Sequence, residues 1–498
     1  DYGLLEEPLL SPTGEKRPSL VDILEEGETI LARPPTIVKA FDVYTNIRSV
    51  FSFERRKGPF AAFDCLRACS AMWVILGHTL FWASFYPMQP FLITPSPDSF
   101  VSTFAGQVLF TQSFTMAVDT FFFLSAFLAT YFTMKECAKK PHYSFVKVWI
   151  SKVLNRAVRI WPAFAAALFF SWLVAPLMTD SPGVPPASIN AACEDNGWLW
   201  ALLFVNNIYP WDNRGSGNCF GHTWYLSCDL QLFILLPPIA MLYMKARVSD
   251  VANDQRKRRL AVFIGVIFMI AGSCASAIVS SLDDGWSTYY NDGELSGNYN
   301  KDYYALPWMR LPAYYLGVVF AIVWYEKETS MPDFRLGYRL RNFLLPLSLL
   351  MIFVSVYDGY WGMKQAPCYV YNSSGKDCGS ELDPTSLALI AAFNRPLFVL
   401  GVAILSLICF LKQGGLVQLI MESKCWLPMS LVSYSIYLMH PAFLTLNLVE
   451  RPFMSYLTYY IYILTFLGIL FIAFLAAVLL NAFVEVPFGQ LQKKYMWR

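Results

Sequence analysis

"FDCLRACSAMWVILGHTLFW", residues 63–82, is apolar enough to cross a bilayer, yet it carries Arg67 near one end and His78 toward the other. Ionisable side chains are expensive in hydrocarbon, so each one marks a functional position by default. The two lie eleven residues apart. At 100° per residue this is three turns plus about 20°, so a helix projects both from one face, about 16 Å apart along its axis. Arg67 then stands at one mouth of a span and His78 near mid-bilayer. A snorkelling boundary arginine accounts equally for Arg67 alone, and a packing hydrogen bond for His78 alone.

Similar segments recur along the chain. Of 498 residues, 56% are hydrophobic and only 15% charged, where soluble domains carry about a quarter. About 20 apolar residues cross a bilayer core as a helix. The pattern therefore predicts an all-α polytopic membrane protein with about ten transmembrane helices. They fall at 62–85, 105–132, 153–177, 222–245, 259–281, 304–325, 341–358, 385–411, 426–447 and 457–485. Residues 1–60 are polar and acidic and read as a cytoplasmic tail, with an interfacial segment at 41–57. Residues 61–488 form the transmembrane domain, and 489–498 a basic cytoplasmic tail. The net charge of +2 points to no nucleic-acid partner.

Sidedness comes from the loops. "KECAKKPHYSFVKVWISK", "KARVSDVANDQRKRR", "YEKETSMPDFRLGYRLR" and the terminal "QKKYMWR" all fall on one side. The other side holds only Arg214, Lys301, Lys364, Lys376 and Arg451. Positive loops stay cytoplasmic, so both termini are expected there. Of eleven cysteines, Cys193, Cys219, Cys368 and Cys378 fall in the outer loops. Pairs Cys193–Cys219 and Cys368–Cys378 are expected, because disulfides persist in oxidising compartments. The sequon at Asn372 shares the second of these loops. A secretory-pathway or plasma membrane follows, with a bioenergetic organelle membrane as the alternative.

Further polar residues interrupt the other spans. Asp119 lies about as deep as His78 on the next helix, which suggests a dyad whose carboxylate fixes the imidazole tautomer. A structural partner for an arginine or serine is the other reading. Arg156 and Arg159, with Lys152 before them, either obey the positive-inside rule or cradle phosphates near Arg67. His222 stands at the outer interface, Asp229 about 10 Å deeper, and His440 in the outer half. His142 lies in a basic loop. Arg310 and Arg395 are buried and need carboxylates. Asp119, Asp229 and Glu485 are the candidates, and spacing does not choose among them.

At this point the motifs resemble a known family. "LRACSAMWVILGH" resembles the R-x10-H signature of the acyltransferase-3 family of integral membrane acyltransferases, "VDTFFFLSAFL" its second-helix motif, and "RAVRIWP" its R-x-x-R-I-x-P. "HTWYLSCDLQLF", "RLPAYYLG", "SYSIYLMHP" and "VEVPF" resemble its nose-resistant-to-fluoxetine-like eukaryotic branch, as does the cysteine pair flanking "WLWALLFVNNIYP". The resemblance runs over about residues 60–490, in order. It implies transfer of an acyl group, acetyl foremost, from cytoplasmic acyl-CoA to a hydroxyl of a lipid or glycan, with no metal. His78 becomes the base or transient acyl acceptor, with Asp119 as its partner. Arg67, Arg156, Arg159 and Lys152 become the holders of the acyl-CoA phosphates. His222, Asp229 and His440 face the acceptor. Ser125-Ala126 departs from the family's Ser-Gly. The competing class is a retired acyltransferase fold acting as a scaffold or accessory subunit of a membrane complex. A transporter is a third class, weakened by the lack of an inverted repeat.

Overall fold

The computed structural model describes residues 36–54, 58–85, 112–139, 144–179, 191–211, 218–235, 237–248, 254–282, 299–364, 384–449 and 459–495. Cys368, Cys378 and Asn372 lie outside them. Two short helices, α1 (Thr36–Ala40) and α2 (Val43–Val50), precede the bundle. Then come α3 (Ala62–Phe85), α4 (Met116–Lys139), α5 (Phe145–Phe169), the short α6 (Gly197–Leu202), α7 (Trp224–Leu235) and α8 (Pro237–Val248). The second half holds α9 (Asp254–Leu282), α10 (Pro307–Ser330), α11 (Tyr338–Lys364) and α12 (Pro384–Phe410). It closes with α13 (Gly415–Met421), α14 (Leu427–Leu431), α15 (Ser433–Val449), α16 (Tyr459–Leu480) and α17 (Val486–Tyr495). No strand occurs among the described residues.

Among the described residues, seven helical stretches are long and apolar enough to cross a membrane, and the pair Gly415–Leu431 and Ser433–Asn447, bent by 55°, makes up to eight. Each expected segment coincides with a helix, but α3 and α10 fall outside that set. Both carry ionisable side chains, half-buried Arg67 and His78 on α3 and buried Arg310 on α10. Within the second expected span, α4 begins at Met116 after a 3-10 turn at Gln112–Thr115, and residues 105–111 lie outside the described ones. The fourth expected span, 222–245, falls within one apolar helical stretch, Gly221–Lys245, which contains α7 and most of α8.

Exposure sorts the helices into layers. On α9 the exposed side chains are Leu260, Phe263, Ile267, Ile270 and Ile278. That helical spacing is a stripe turned to lipid. α11 and α16 are likewise exposed along most of their length. α4 is largely buried and packs on α10, α8 and α3. The inner layer is therefore where polar groups meet.

Helix α2 is tied to the last part of the bundle. Asn46 of α2 is buried and its Nδ2 donates to Ala40 O at 2.9 Å and to Ala482 O at 3.0 Å. Ala482 lies in a π-helical turn, Asn481–Glu485, between α16 and α17. Wide turns leave carbonyls short of partners, and Asn46 supplies one. Asp42 caps α2 through Thr45 N and Oγ1. The Thr45 hydroxyl and amide hold its carboxyl below the usual value.

Candidate active site

Three histidines from three distant segments converge. His78 Nδ1 lies 2.7 Å from His440 Nε2. Their rings are nearly parallel, 12° apart, with centroids 5.0 Å apart. His222 stands edge-on to His440 at 5.7 Å. His440 is fully buried.

The network assigns the protons. His440 Nδ1 lies 3.1 Å from Ile436 O. A carbonyl only accepts, so His440 Nδ1 carries the hydrogen and its Nε2 accepts. His78 Nδ1 must then be the donor to His440. In the neutral ring this leaves the lone pair on His78 Nε2. One histidine thus sets the tautomer of the other, the task that sequence reasoning gave to Asp119.

Asp119 is engaged elsewhere. It is fully buried, and its two oxygens accept from Arg310 Nη1 at 3.2 Å and Arg395 Nη1 at 2.5 Å. The expected His78–Asp119 dyad is therefore corrected to a His78–His440 pair beside an Arg310–Asp119–Arg395 triad. Arg310 also donates to Tyr304 O through Nε at 3.0 Å. Its guanidinium lies over the rings of Trp224 and Tyr304. Arg395 also donates to Thr115, through Nη1 to the carbonyl at 3.3 Å and through Nη2 to Oγ1 at 3.1 Å.

Asp229 is not open to an acceptor. Its Oδ1 accepts from Ser125 Oγ at 2.5 Å, and its Oδ2 from Arg156 Nε at 3.1 Å and from Arg156 Nη2. Arg156 Nη2 also donates to Ser125 Oγ at 2.6 Å. This commits Arg156 to an internal ion pair, so the expected phosphate cradle loses it. Lys152 Nζ bonds Glu136 at 2.6 Å. Arg159 is exposed and interacts electrostatically with Glu485, and Arg67 is half-buried on α3. Glu485 is not a partner of Arg310 or Arg395. It accepts from Ser435 at 2.8 Å and Asn481 at 2.9 Å.

The outer loop aims His222. A disulfide joins Cys193 to Cys219. Phe220 follows with φ 54°, a left-handed turn rare for a bulky residue. Asn206, fully buried, donates to Cys219 O at 3.3 Å and to Thr223 Oγ1 at 3.2 Å. Tyr437 donates to His222 O. His222 Nε2 is buried without a hydrogen-bond partner among the described residues. A buried polar atom of this kind is costly and suggests a ligand group. Sequence reasoning missed the set that frames the site, above all Phe114, Thr115 and Asn206. Only the buried-arginine signal at Arg395 pointed toward Thr115. Among the described residues, no His, Cys, Asp or Glu cluster could hold a metal.

A helical membrane bundle with paired histidines inside defines the class, and a family model described as "Acyltransferase domain" matches residues 60–483. The chain belongs to that acyltransferase-3 family. It is similar to Nose resistant to fluoxetine protein 6 of Caenorhabditis elegans, 24% identical over 435 residues that cover 83% of this chain and 48% of that protein. It is also similar to Regulator of hypoxia-inducible factor 1 of the same organism, 21% identical over 481 residues, 93% of this chain and 86% of that protein. The chain thus spans about half the length of the first relative. No solved structure matches it.

Proposed function

We propose that the chain transfers an acetyl or similarly short acyl group from cytoplasmic acyl-CoA to a hydroxyl of a membrane lipid or glycan. The observation that carries this is the His78–His440 hydrogen bond, which leaves a basic lone pair on His78 Nε2. That nitrogen takes the proton of the acceptor hydroxyl as its oxygen attacks the thioester carbon. The C–S bond breaks, and the imidazolium returns the proton to the departing CoA sulfur. His440 receives the Nδ1 hydrogen bond and steadies the imidazolium. His222 Nε2 meets the acceptor hydroxyl. Arg67, about three turns from His78 on α3, and the exposed Arg159 hold the CoA phosphates at the cytoplasmic mouth.

The test uses the full chain in lipid nanodiscs with labelled acetyl-CoA and a membrane lipid extract. Wild type is expected to produce labelled lipid or glycolipid. His78→Ala is expected to reduce transfer to background, and His440→Ala to slow it about 100-fold. Wild-type protein that neither hydrolyses nor transfers the acyl group, like His78→Ala, supports instead a scaffold within a membrane complex.

A further inference from the structure

Phe114 crowds the His78 ring from the turn ahead of α4. It is 8% exposed. Its ring stands 5.5 Å from the His78 ring at 74°. Beneath it is Gly77, the residue just before His78. A Cβ built on Gly77 would come within 1.9 Å of the Phe114 ring. The absence of a side chain at 77 is therefore what lets the phenyl group sit against the α3 backbone beside the reacting imidazole.

This ring is held from behind. The next residue, Thr115, accepts from Arg395 at both its carbonyl and its hydroxyl. Arg395 is fixed by Asp119, and Asp119 by Arg310. Arg310, Asp119 and Arg395 are all buried. A buried, doubly bonded ion cluster gives way only at high cost. The Arg310–Asp119–Arg395 triad thus anchors the turn that presents Phe114 to His78.

The consequence concerns the donor. The thioester carbonyl must come close to the acceptor oxygen that His78 deprotonates. A methyl group on that carbonyl needs little room. A longer chain needs the space that Phe114 occupies, and a packed interior resists added methylenes. The geometry points to Phe114, seated on Gly77 and braced by Arg395, as the residue that limits the acyl chain to short donors. This rests on the reading of His78 as the base of acyl transfer.

The experiment compares acetyl-, butyryl- and octanoyl-CoA as donors to the full chain in nanodiscs. Wild type is expected to favour acetyl-CoA, with kcat/KM falling at each longer donor. Phe114→Ala and the milder Phe114→Leu are expected to raise the octanoyl-to-acetyl ratio about tenfold or more. Phe471→Ala, on the lipid-facing side of α16, is expected to leave that ratio unchanged. Two results overturn the proposal while leaving the transferase reading intact: wild type using octanoyl-CoA as well as acetyl-CoA, or a donor profile unmoved in both Phe114 variants. Absence of transfer with every donor in the wild type removes the transferase reading, and the chain-length limit with it.

Discussion

Asp119 shows how one buried carboxylate is claimed. Two guanidiniums surround it, and each is tied to backbone on its far side. Removing one partner of a buried ion pair costs about 3–5 kcal/mol, because the remaining charges stay in a low-dielectric interior. Asp119→Asn is therefore expected to lower the melting temperature of the protein in detergent sharply. The folded fraction is expected to keep the wild-type pH–rate profile, since His440 and not Asp119 orients His78. A variant that folds as wild type but has lost transfer altogether would return Asp119 to the chemistry. The same logic applies to Arg156. It is bound to Asp229 and Ser125, so its loss is expected to lower stability.

Helices approach through small residues. Where α10 crosses α4, a Cβ on Gly317 would meet Phe123 O at 2.6 Å and Ala126 Cβ at 2.7 Å. Close backbone contact is how membrane helices associate when hydrocarbon surrounds them. The departure from Ser-Gly at Ser125-Ala126 therefore sits at a close helix crossing, with the Ala126 methyl against Gly317. Gly317→Ala is expected to destabilise by about 1–3 kcal/mol through overpacking. Gly317→Leu is expected to prevent recovery of monodisperse protein by size-exclusion chromatography. Normal recovery of the leucine variant would show that α4 and α10 lie further apart. Prolines follow Arg395 and His440 directly. They remove ladder donors beside the two residues whose side chains reach across the bundle.

At the scale of the molecule, loop charge assigns one side to the cytoplasm, and the expected outer side carries the Cys193–Cys219 disulfide. Cys425 is exposed in the turn between α13 and α14, within the end assigned to the cytoplasm. A membrane-impermeant maleimide is expected to label Cys425 only after permeabilisation, in a variant with Cys69 and Cys274 replaced by serine. Labelling of intact cells would invert the topology and with it the side from which the donor enters. Asn46 also ties α2 to the π-turn between α16 and α17.

The all-α membrane class and the placement of His78, Asp119, Arg310, Arg395 and His440 on helices were legible in the sequence. Each depends on local composition and helical periodicity. Family membership was legible too, because its motifs are short and ordered along the chain. The pairing of these groups was not. His78 meets His440 across 362 residues, and Asp119 meets Arg395 across 276. Periodicity gives a residue's depth and its angle on its own helix, but not which helix stands opposite. Two residues at one depth, such as His78 and Asp119, therefore look like partners. Only the packing of α3, α4, α10, α12 and α15 decided that histidine faces histidine and carboxylate faces arginine.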